Sequence, residues 1–89
     1  MTNFQDFPGK DFTGANLMDA KLQNTDLSGA NLSGACLVFS NLRSTDLSGA
    51  NASGADFRLS DLSGACLSRA NLLDSNLTDC DLSGASFGG

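Results

Sequence analysis

An apolar residue at every fifth position is the feature that most constrains what this chain can fold into. Seventeen positions spaced five apart, from Phe7 to Phe87, carry Leu or Phe, with Ala52 as the exception. A helix turns by about 100° per residue, so positions five apart diverge by about 140° and would share no buried face. A simple strand fails too, because residues five apart point to opposite faces of a sheet. The period therefore excludes both regular elements as the repeating unit.

A short extended segment followed by a corner does fit a period of five. If the apolar residue and the small residue two positions before it both point inward, the next two residues are left to turn the chain. A tight turn of this kind needs a residue with positive φ, which glycine adopts without steric cost. Glycines occupy the second position after the apolar residue at Gly9, Gly14, Gly29, Gly34, Gly49, Gly54, Gly64, Gly84 and Gly89.

The repeat itself carries a recognisable motif. The pattern Ala, then Asn or Asp, then Leu or Phe occurs at residues 15–17, 30–32, 55–57 and 70–72, and over residues 5–89 the chain resembles the pentapeptide-repeat family. That resemblance implies an all-β fold, a right-handed quadrilateral parallel β-helix with four pentapeptides per coil. It predicts a single domain over residues 1–89 with about four coils, beginning near Gln5, Thr25, Thr45, Ala65 and Ala85. Residues twenty apart should then stack as ladders of like side chains.

Composition limits the classes of partner and location. The net charge is -5, the isoelectric point is about 4.1, and there are only five basic residues. Because phosphate binding needs clustered Lys and Arg, we expect no direct contact with nucleic acid. No apolar stretch reaches the length of about 20 residues that spans a membrane, and the N-terminal sequence lacks the apolar core of a secretory signal, so no membrane association and a cytoplasmic location are expected. The odd number of cysteines favours free thiols.

The two ends of the solenoid raise a question of assembly. Phe4 is a candidate cap over the first coil. The last coil is followed only by Phe87, Gly88 and Gly89. An exposed coil edge with unpaired backbone favours an end-to-end homodimer; the alternative is that the chain forms one part of a larger assembly.

An apolar surface is the strongest candidate for a functional site. Met18, Val38, Phe39 and Leu59 are predicted to lie on one wall or its following corner, and we call these four residues the apolar corner. Phe39 and Leu59 are twenty residues apart and should stack, and this corner contains no glycine. Exposed apolar clusters often mark contacts with other proteins, although two stacked side chains could instead shield the backbone of a turn. The corner is therefore a hypothesis for binding an unknown protein partner.

An acidic ladder of Asp6, Asp26 and Asp46 on a neighbouring wall supports an alternative function. The quinolone-resistance members of the family resemble DNA in shape and charge and bind DNA gyrase in its place. A DNA mimic needs dense negative charge over a long rod, whereas here three aligned carboxylates are followed by Cys66 and Arg69. A solvated face explains the same residues. Serines such as Ser28 and Ser48 recur in the turns, where hydroxyls commonly bond nearby backbone.

The sequence contains little from which a catalytic site could be built. Histidine is absent, so a Ser–His or Cys–His nucleophile is not available. No Cys spacing resembles a metal site, and the Gly-x-Gly matches are by-products of the repeat without a following helix. We predict no catalytic residue, no metal site and no cofactor. The two hypotheses are therefore a non-enzymatic protein-interaction or scaffolding module and, as the alternative, a DNA-mimic protein that binds a DNA-processing enzyme such as DNA gyrase.

Overall fold

The computed structural model describes residues 6–88, so the predicted coil start at Gln5 and the proposed cap at Phe4 lie outside the described residues. Within residues 6–88 the backbone pairing consists of isolated parallel bridges, and no residue of that range is helical. Each bridge joins two residues that are twenty positions apart. The chain therefore winds as a solenoid in which twenty residues, four pentapeptides, separate stacked neighbours.

The bridges form four ladders that run along the solenoid, one for each pentapeptide of a coil. We number them in chain order. Ladder 1 contains Asp6, Asp26, Asp46, Cys66 and Ser86; ladder 2 contains Asp11, Asn31, Asn51 and Asn71; ladder 3 contains Asn16, Cys36, Asp56 and Asn76; ladder 4 contains Lys21, Asn41, Asp61 and Asp81. The prediction that residues twenty apart stack is confirmed by these bridges.

The repeat Ala30–Gly34 shows why the motif has its particular residues. The N–H groups of Asn31, Leu32 and Gly34 donate to carbonyls of the adjacent coils at 2.8, 2.6 and 2.9 Å. The N–H of Ala30 closes the preceding turn at 3.0 Å. The remaining N–H, that of Ser33, donates to the side-chain Oδ1 of Asn31 at 3.0 Å. Asn or Asp before the apolar residue thus satisfies the one backbone donor that neither the ladder nor the turn can pair.

Each pentapeptide ends in a turn whose third residue has positive φ. In the turn from Leu32 to Ala35 that residue is Gly34, with φ of +67°. Every residue with positive φ in the described part of the chain occupies this same place, which identifies the turns as type II. The third turn residues form four columns. Turn column 1 is Gly9, Gly29, Gly49 and Arg69; turn column 2 is Gly14, Gly34, Gly54 and Asp74; turn column 3 is Asp19, Phe39, Leu59 and Asp79; turn column 4 is Asn24, Ser44, Gly64 and Gly84.

The interior is filled by the central apolar residues and by the small residues two positions before them. The side chains of the middle coils are completely or almost completely buried, including Leu27, Leu32, Leu37, Leu42, Leu47, Phe57 and Leu62. Two inward threonines, Thr25 and Thr45, stack twenty residues apart and are buried as well. The hydroxyl of Thr45 donates to the carbonyl of Leu22 at 2.7 Å, so its burial leaves no unpaired polar group.

Candidate interaction surface

The apolar corner is exposed at three of its four predicted residues. The exposed fractions are 51% for Met18, 58% for Phe39 and 45% for Leu59. Val38 is only 8% exposed, so the prediction that its side chain faces outward is wrong. Val38 lies on the same wall as Met18 of the preceding coil and Arg58 of the following one, since these residues are twenty positions apart and hold the same place in their repeats.

Phe39 and Leu59 also adopt a backbone conformation that large L-residues disfavour. Their φ angles are +60° and +61°. For a side chain with a Cβ this conformation costs about 1–2 kcal/mol per residue compared with the right-handed region, and glycine avoids the cost. The corner therefore has two unfavourable features at once, since large apolar side chains are exposed to water and held in strained turns. Strain of this kind is concentrated at functional sites, which makes it a reason to look for a function here.

The arginines beside the apolar corner are already paired within the chain. Nε and Nη2 of Arg58 donate to the Asp56 carboxylate at 2.9 and 2.7 Å. Nη1 of Arg43 donates to Asp61 at 3.2 Å. This pairing lowers the pKa of Asp56 through its hydrogen bonds to Arg58. The positive charges on either side of the corner are thereby matched by neighbouring carboxylates.

The acidic ladder has the predicted alignment, with parallel bridges from Asp6 to Asp26 and from Asp26 to Asp46. Each of the last two carboxylates is held in a local turn. Oδ1 of Asp26 accepts the hydroxyl of Ser28 at 2.6 Å and its N–H at 2.9 Å, and Asp46 accepts the same two groups of Ser48 at 2.6 and 3.0 Å. The hydroxyl of Ser28 is the main cause of a lowered pKa for Asp26. The prediction that these hydroxyls bond backbone groups is wrong, because their acceptors are carboxylates.

Sequence reasoning missed one exposed apolar side chain. Leu73 is 68% exposed. It occupies the second turn position after ladder 2, where the three earlier coils carry Thr13, Ser33 and Ser53. The break in that hydroxyl series was the signal available in the sequence. Leu73 lies one corner away from Phe39 and Leu59 and stands alone in its column.

The three cysteines are free thiols. Cys80 points inward and contacts the hydroxyl of Ser60, with 3.3 Å between Sγ and Oγ. Its partial burial raises the pKa of the thiol, which favours the neutral form. A packed, neutral thiol is a small apolar group rather than a nucleophile.

The remaining surface offers little chemistry. An open groove of about 420 Å³ is lined by Ser48, Gly49, Ser68, Arg69 and Gly88, and that lining includes no carboxylate, thiol or imidazole. Residues 6–88 contain no group of three or more His, Cys, Asp or Glu side chains arranged to hold a metal ion. That part of the chain also has no helix of the length and hydrophobicity needed to cross a membrane.

Comparisons with known proteins agree with this geometry. The family model for pentapeptide repeats matches eight copies in four overlapping stretches, residues 3–34, 25–64, 35–73 and 56–89. A comparison with curated protein sequences found no significant match.

Several solved structures are similar to the chain. The pentapeptide-repeat protein alr5209 from Nostoc PCC 7120 is 47% identical, with a TM-score of 0.54, over 82% of this chain and 64% of its own. QnrB1, a plasmid-mediated fluoroquinolone resistance protein solved as a trypsin-treated variant, is 35% identical, with a TM-score of 0.65, over 92% of this chain and 48% of its own. Rfr23 from the cyanobacterium Cyanothece 51142 is 25% identical, with a TM-score of 0.56, over 92% and 60%. The chain thus spans about half to two thirds of the length of these relatives.

Four observations agree: the period of five, the bridges between residues twenty apart, the Asn or Asp side chain that completes most repeats, and a family model that matches residues 3–89. The chain belongs to the pentapeptide-repeat family.

Proposed function

We propose that this chain is a non-enzymatic protein-interaction or scaffolding module that binds a protein partner through Met18, Phe39 and Leu59. The observation that carries the proposal is the coincidence of exposure and strain at Phe39 and Leu59, which folding alone does not explain. In the finer detail of the fold we infer a right-handed quadrilateral β-helix with seventeen repeats in about four coils and one domain. We further propose a cytoplasmic location, no direct contact with nucleic acid or membrane, and end-to-end pairing of two copies as a testable mode of assembly.

The double variant Phe39→Arg, Leu59→Arg tests the proposed surface. Arginine is compatible with this turn position, because Arg69 occupies the same place in turn column 1 with φ of +62°. The matched control is Asn24→Arg, Ser44→Arg, which adds two positive charges at the same place in turn column 4, where both residues already have positive φ. The wild type and both variants are used to capture proteins from an extract of the source cell, and the dissociation constant of each captured protein is then measured with purified components.

We expect the wild type and the control to retain one and the same protein. That protein should bind the Phe39→Arg, Leu59→Arg variant at least about thirtyfold more weakly, because loss of an apolar anchor that is buried in an interface commonly lowers affinity by this much. Circular dichroism and thermal unfolding establish that all three proteins are folded. Equal retention by the wild type and both variants would overturn the assignment of this surface.

A DNA-mimic inhibitor is the second candidate, and the acidic ladder together with the likeness to QnrB1 supports it. If the chain binds a DNA-processing enzyme such as DNA gyrase in place of DNA, the complex should weaken steeply with salt and survive both arginine variants. It should be lost in an Asp26→Asn, Asp46→Asn variant. That set of results would replace the apolar corner with ladder 1 as the binding surface.

A further inference from the structure

The apolar pair at the corner is bounded by an acidic residue on each side. Turn column 3 reads Asp19, Phe39, Leu59 and Asp79 along the solenoid, and all four residues are exposed. The column therefore places two apolar side chains between two carboxylates in a single line. No other turn column has this arrangement among the described residues, since turn columns 1, 2 and 4 are mostly glycine or small polar residues.

The carboxylates at the two ends of turn column 3, Asp19 and Asp79, form no ion pair among the described residues, whereas Asp56 and Asp61 near the apolar corner do. The ion pairs among residues 6–88 are Arg43 with Asp61 and Arg58 with Asp56. Neither includes Asp19 or Asp79. Because Arg43 and Arg58 are paired with other carboxylates, a molecule approaching turn column 3 meets an apolar surface between two carboxylates that form no ion pair within residues 6–88. The net charge of -5 adds to the attraction of a cationic partner.

The spacing of the column fits an extended peptide that runs along the solenoid axis. Stacked coils lie about 4.8 Å apart, so Asp19 and Asp79, three coils apart, are separated by about 14 Å. An extended chain rises about 3.3 Å per residue, so side chains at positions i and i+4 are about 13 Å apart and lie on the same face as i+2. Basic residues at i and i+4 can then pair with the two carboxylates while an apolar residue at i+2 packs between Phe39 and Leu59.

We infer that turn column 3 binds an extended basic–apolar–basic segment of a partner protein, with Lys or Arg at positions i and i+4 and an apolar residue at i+2. This inference rests on the proposed function and adds the chemistry of the partner. The apolar contact supplies the anchor, and the two charges set the register of the segment and disfavour acidic partners.

The test is a titration of the ¹⁵N-labelled chain with three synthetic peptides, followed by the amide signals of the corner. The first is acetyl-Gly-Lys-Thr-Leu-Thr-Lys-Gly-amide, the second replaces both Lys by Glu, and the third replaces Leu by Ser. The first peptide should produce saturable shifts at Asp19, Phe39, Leu59 and Asp79, and the other two should bind much more weakly. Raising the salt from about 0.15 M to about 0.5 M should weaken the first complex, because the charged groups are exposed to solvent.

Variants of the protein separate charge from shape. Asp19→Asn, Asp79→Asn should weaken binding of the Lys peptide about three- to tenfold, as expected for two exposed ion pairs, and asparagine tolerates positive φ. Asp74→Asn is the matched control, because Asp74 holds the same turn position with φ of +60° in turn column 2. This control should leave the affinity unchanged.

Three results would overturn the inference. Equal binding of the Lys and Glu peptides would show apolar contact without charge recognition, and shifts centred on ladder 1 would show diffuse attraction to acidic residues. Absence of binding by all three peptides would remove the basic segment as the ligand. None of these results decides the proposed function, which fails only if the captured partner binds the Phe39→Arg, Leu59→Arg variant as tightly as the wild type.

Discussion

Turn columns 2 and 3 lie one pentapeptide apart and share one backbone conformation, but they present different surfaces. In the two middle coils, turn column 2 has Gly34 and Gly54 with φ of +67° and +68°, and turn column 3 has Phe39 and Leu59 with φ of +60° and +61°. Gly34 and Gly54 adopt the positive φ of this turn at the lowest steric cost, because glycine has no Cβ. Phe39 and Leu59 adopt it with side chains that are strained and exposed. The fold requires only a residue that adopts positive φ at this turn position. The large apolar residues of turn column 3 therefore need another explanation, and we propose that they bind a partner.

The largest expected effect comes from making turn column 2 like turn column 3. In Gly34→Leu, Gly54→Leu, a Cβ at Gly34 would meet no heavy atom within 4 Å and one at Gly54 would meet backbone at 3.9 Å, so steric overlap is not the issue. The positive φ should cost about 1–2 kcal/mol per site, partly offset by about 0.5–1 kcal/mol per site because replacing glycine lowers the entropy of the unfolded chain, so the unfolding free energy should fall by up to about 3 kcal/mol in total. Urea denaturation measures the loss. The control Ser33→Leu, Ser53→Leu adds the same side chains at the preceding turn position, without positive φ, and an equal loss there would refute strain as the cause.

A second test compares the burial of the second turn residue at the two corners. Val38 and Ser33 hold the same turn position one pentapeptide apart, but Val38 is buried and Ser33 is partly exposed. Val38→Ala removes two buried methyl groups and should lower the unfolding free energy by about 1–2 kcal/mol. Ser33→Ala should change it by less than about 0.5 kcal/mol, as a surface substitution. Similar values from chemical denaturation would mean that Val38 is not part of the packed interior.

The reverse exchange at turn column 3 should have a smaller effect with the opposite sign. Phe39→Gly, Leu59→Gly relieves the positive-φ strain, while glycine increases the entropy of the unfolded chain by about 0.5–1 kcal/mol per site. We expect the unfolding free energy to stay constant or to rise by up to about 1 kcal/mol, as measured by urea denaturation, while partner binding is lost. A loss of stability of more than about 1 kcal/mol would show that the two side chains serve the fold.

The smallest expected effect is a difference between ladders 2 and 3, which lie on either side of turn column 2, in what lowers the pKa of their carboxyl groups and in how those pKa values respond to salt. On ladder 2, hydrogen bonds from Thr13 lower the pKa of Asp11, and on ladder 3, Arg58 lowers that of Asp56. Because both folded-state values lie below the unfolded value of about 3.9, the stabilisation is present above that pH and is lost as pH falls through the lowered values. NMR titration of the carboxyl carbons should show that Thr13→Val raises the pKa of Asp11. High salt should raise that of Asp56 more than that of Asp11, and equal salt responses would contradict the assigned causes.

Much of the fold could be predicted from the sequence because each repeat satisfies its own requirements locally. The stacking of Thr25 on Thr45 and of Asn31 on Asn51 follows from a period of five together with the four repeats per coil that the family resemblance implies, and the bridges and burial agree. The exposure of Phe39 and Leu59 followed from their turn position, and that prediction is confirmed. Their positive φ follows from the same position, since every turn in the described residues places it there.

Predictions that depended on neighbouring coils were less successful. Val38 occupies a turn position that is exposed or partly exposed elsewhere, yet it is buried, and its neighbours along the wall are twenty positions away in the sequence. The partners of Ser28 and Ser48 were misassigned, since a hydroxyl can reach backbone or carboxylate from the same turn. Leu73 was overlooked because it breaks its column only in the last coil.

The sequence by itself determined the period, the inward and outward positions, and the residue that must turn the chain. These follow from hydrogen bonds and turn geometry that are repeated within each pentapeptide. The tertiary structure alone decided that Val38 is buried and that Arg43 is paired with Asp61, because the residues that surround these side chains lie on other coils, as the eighteen positions between Arg43 and Asp61 show. The candidate binding surface thus depends on contacts between residues twenty apart, for which each pentapeptide supplies only one member.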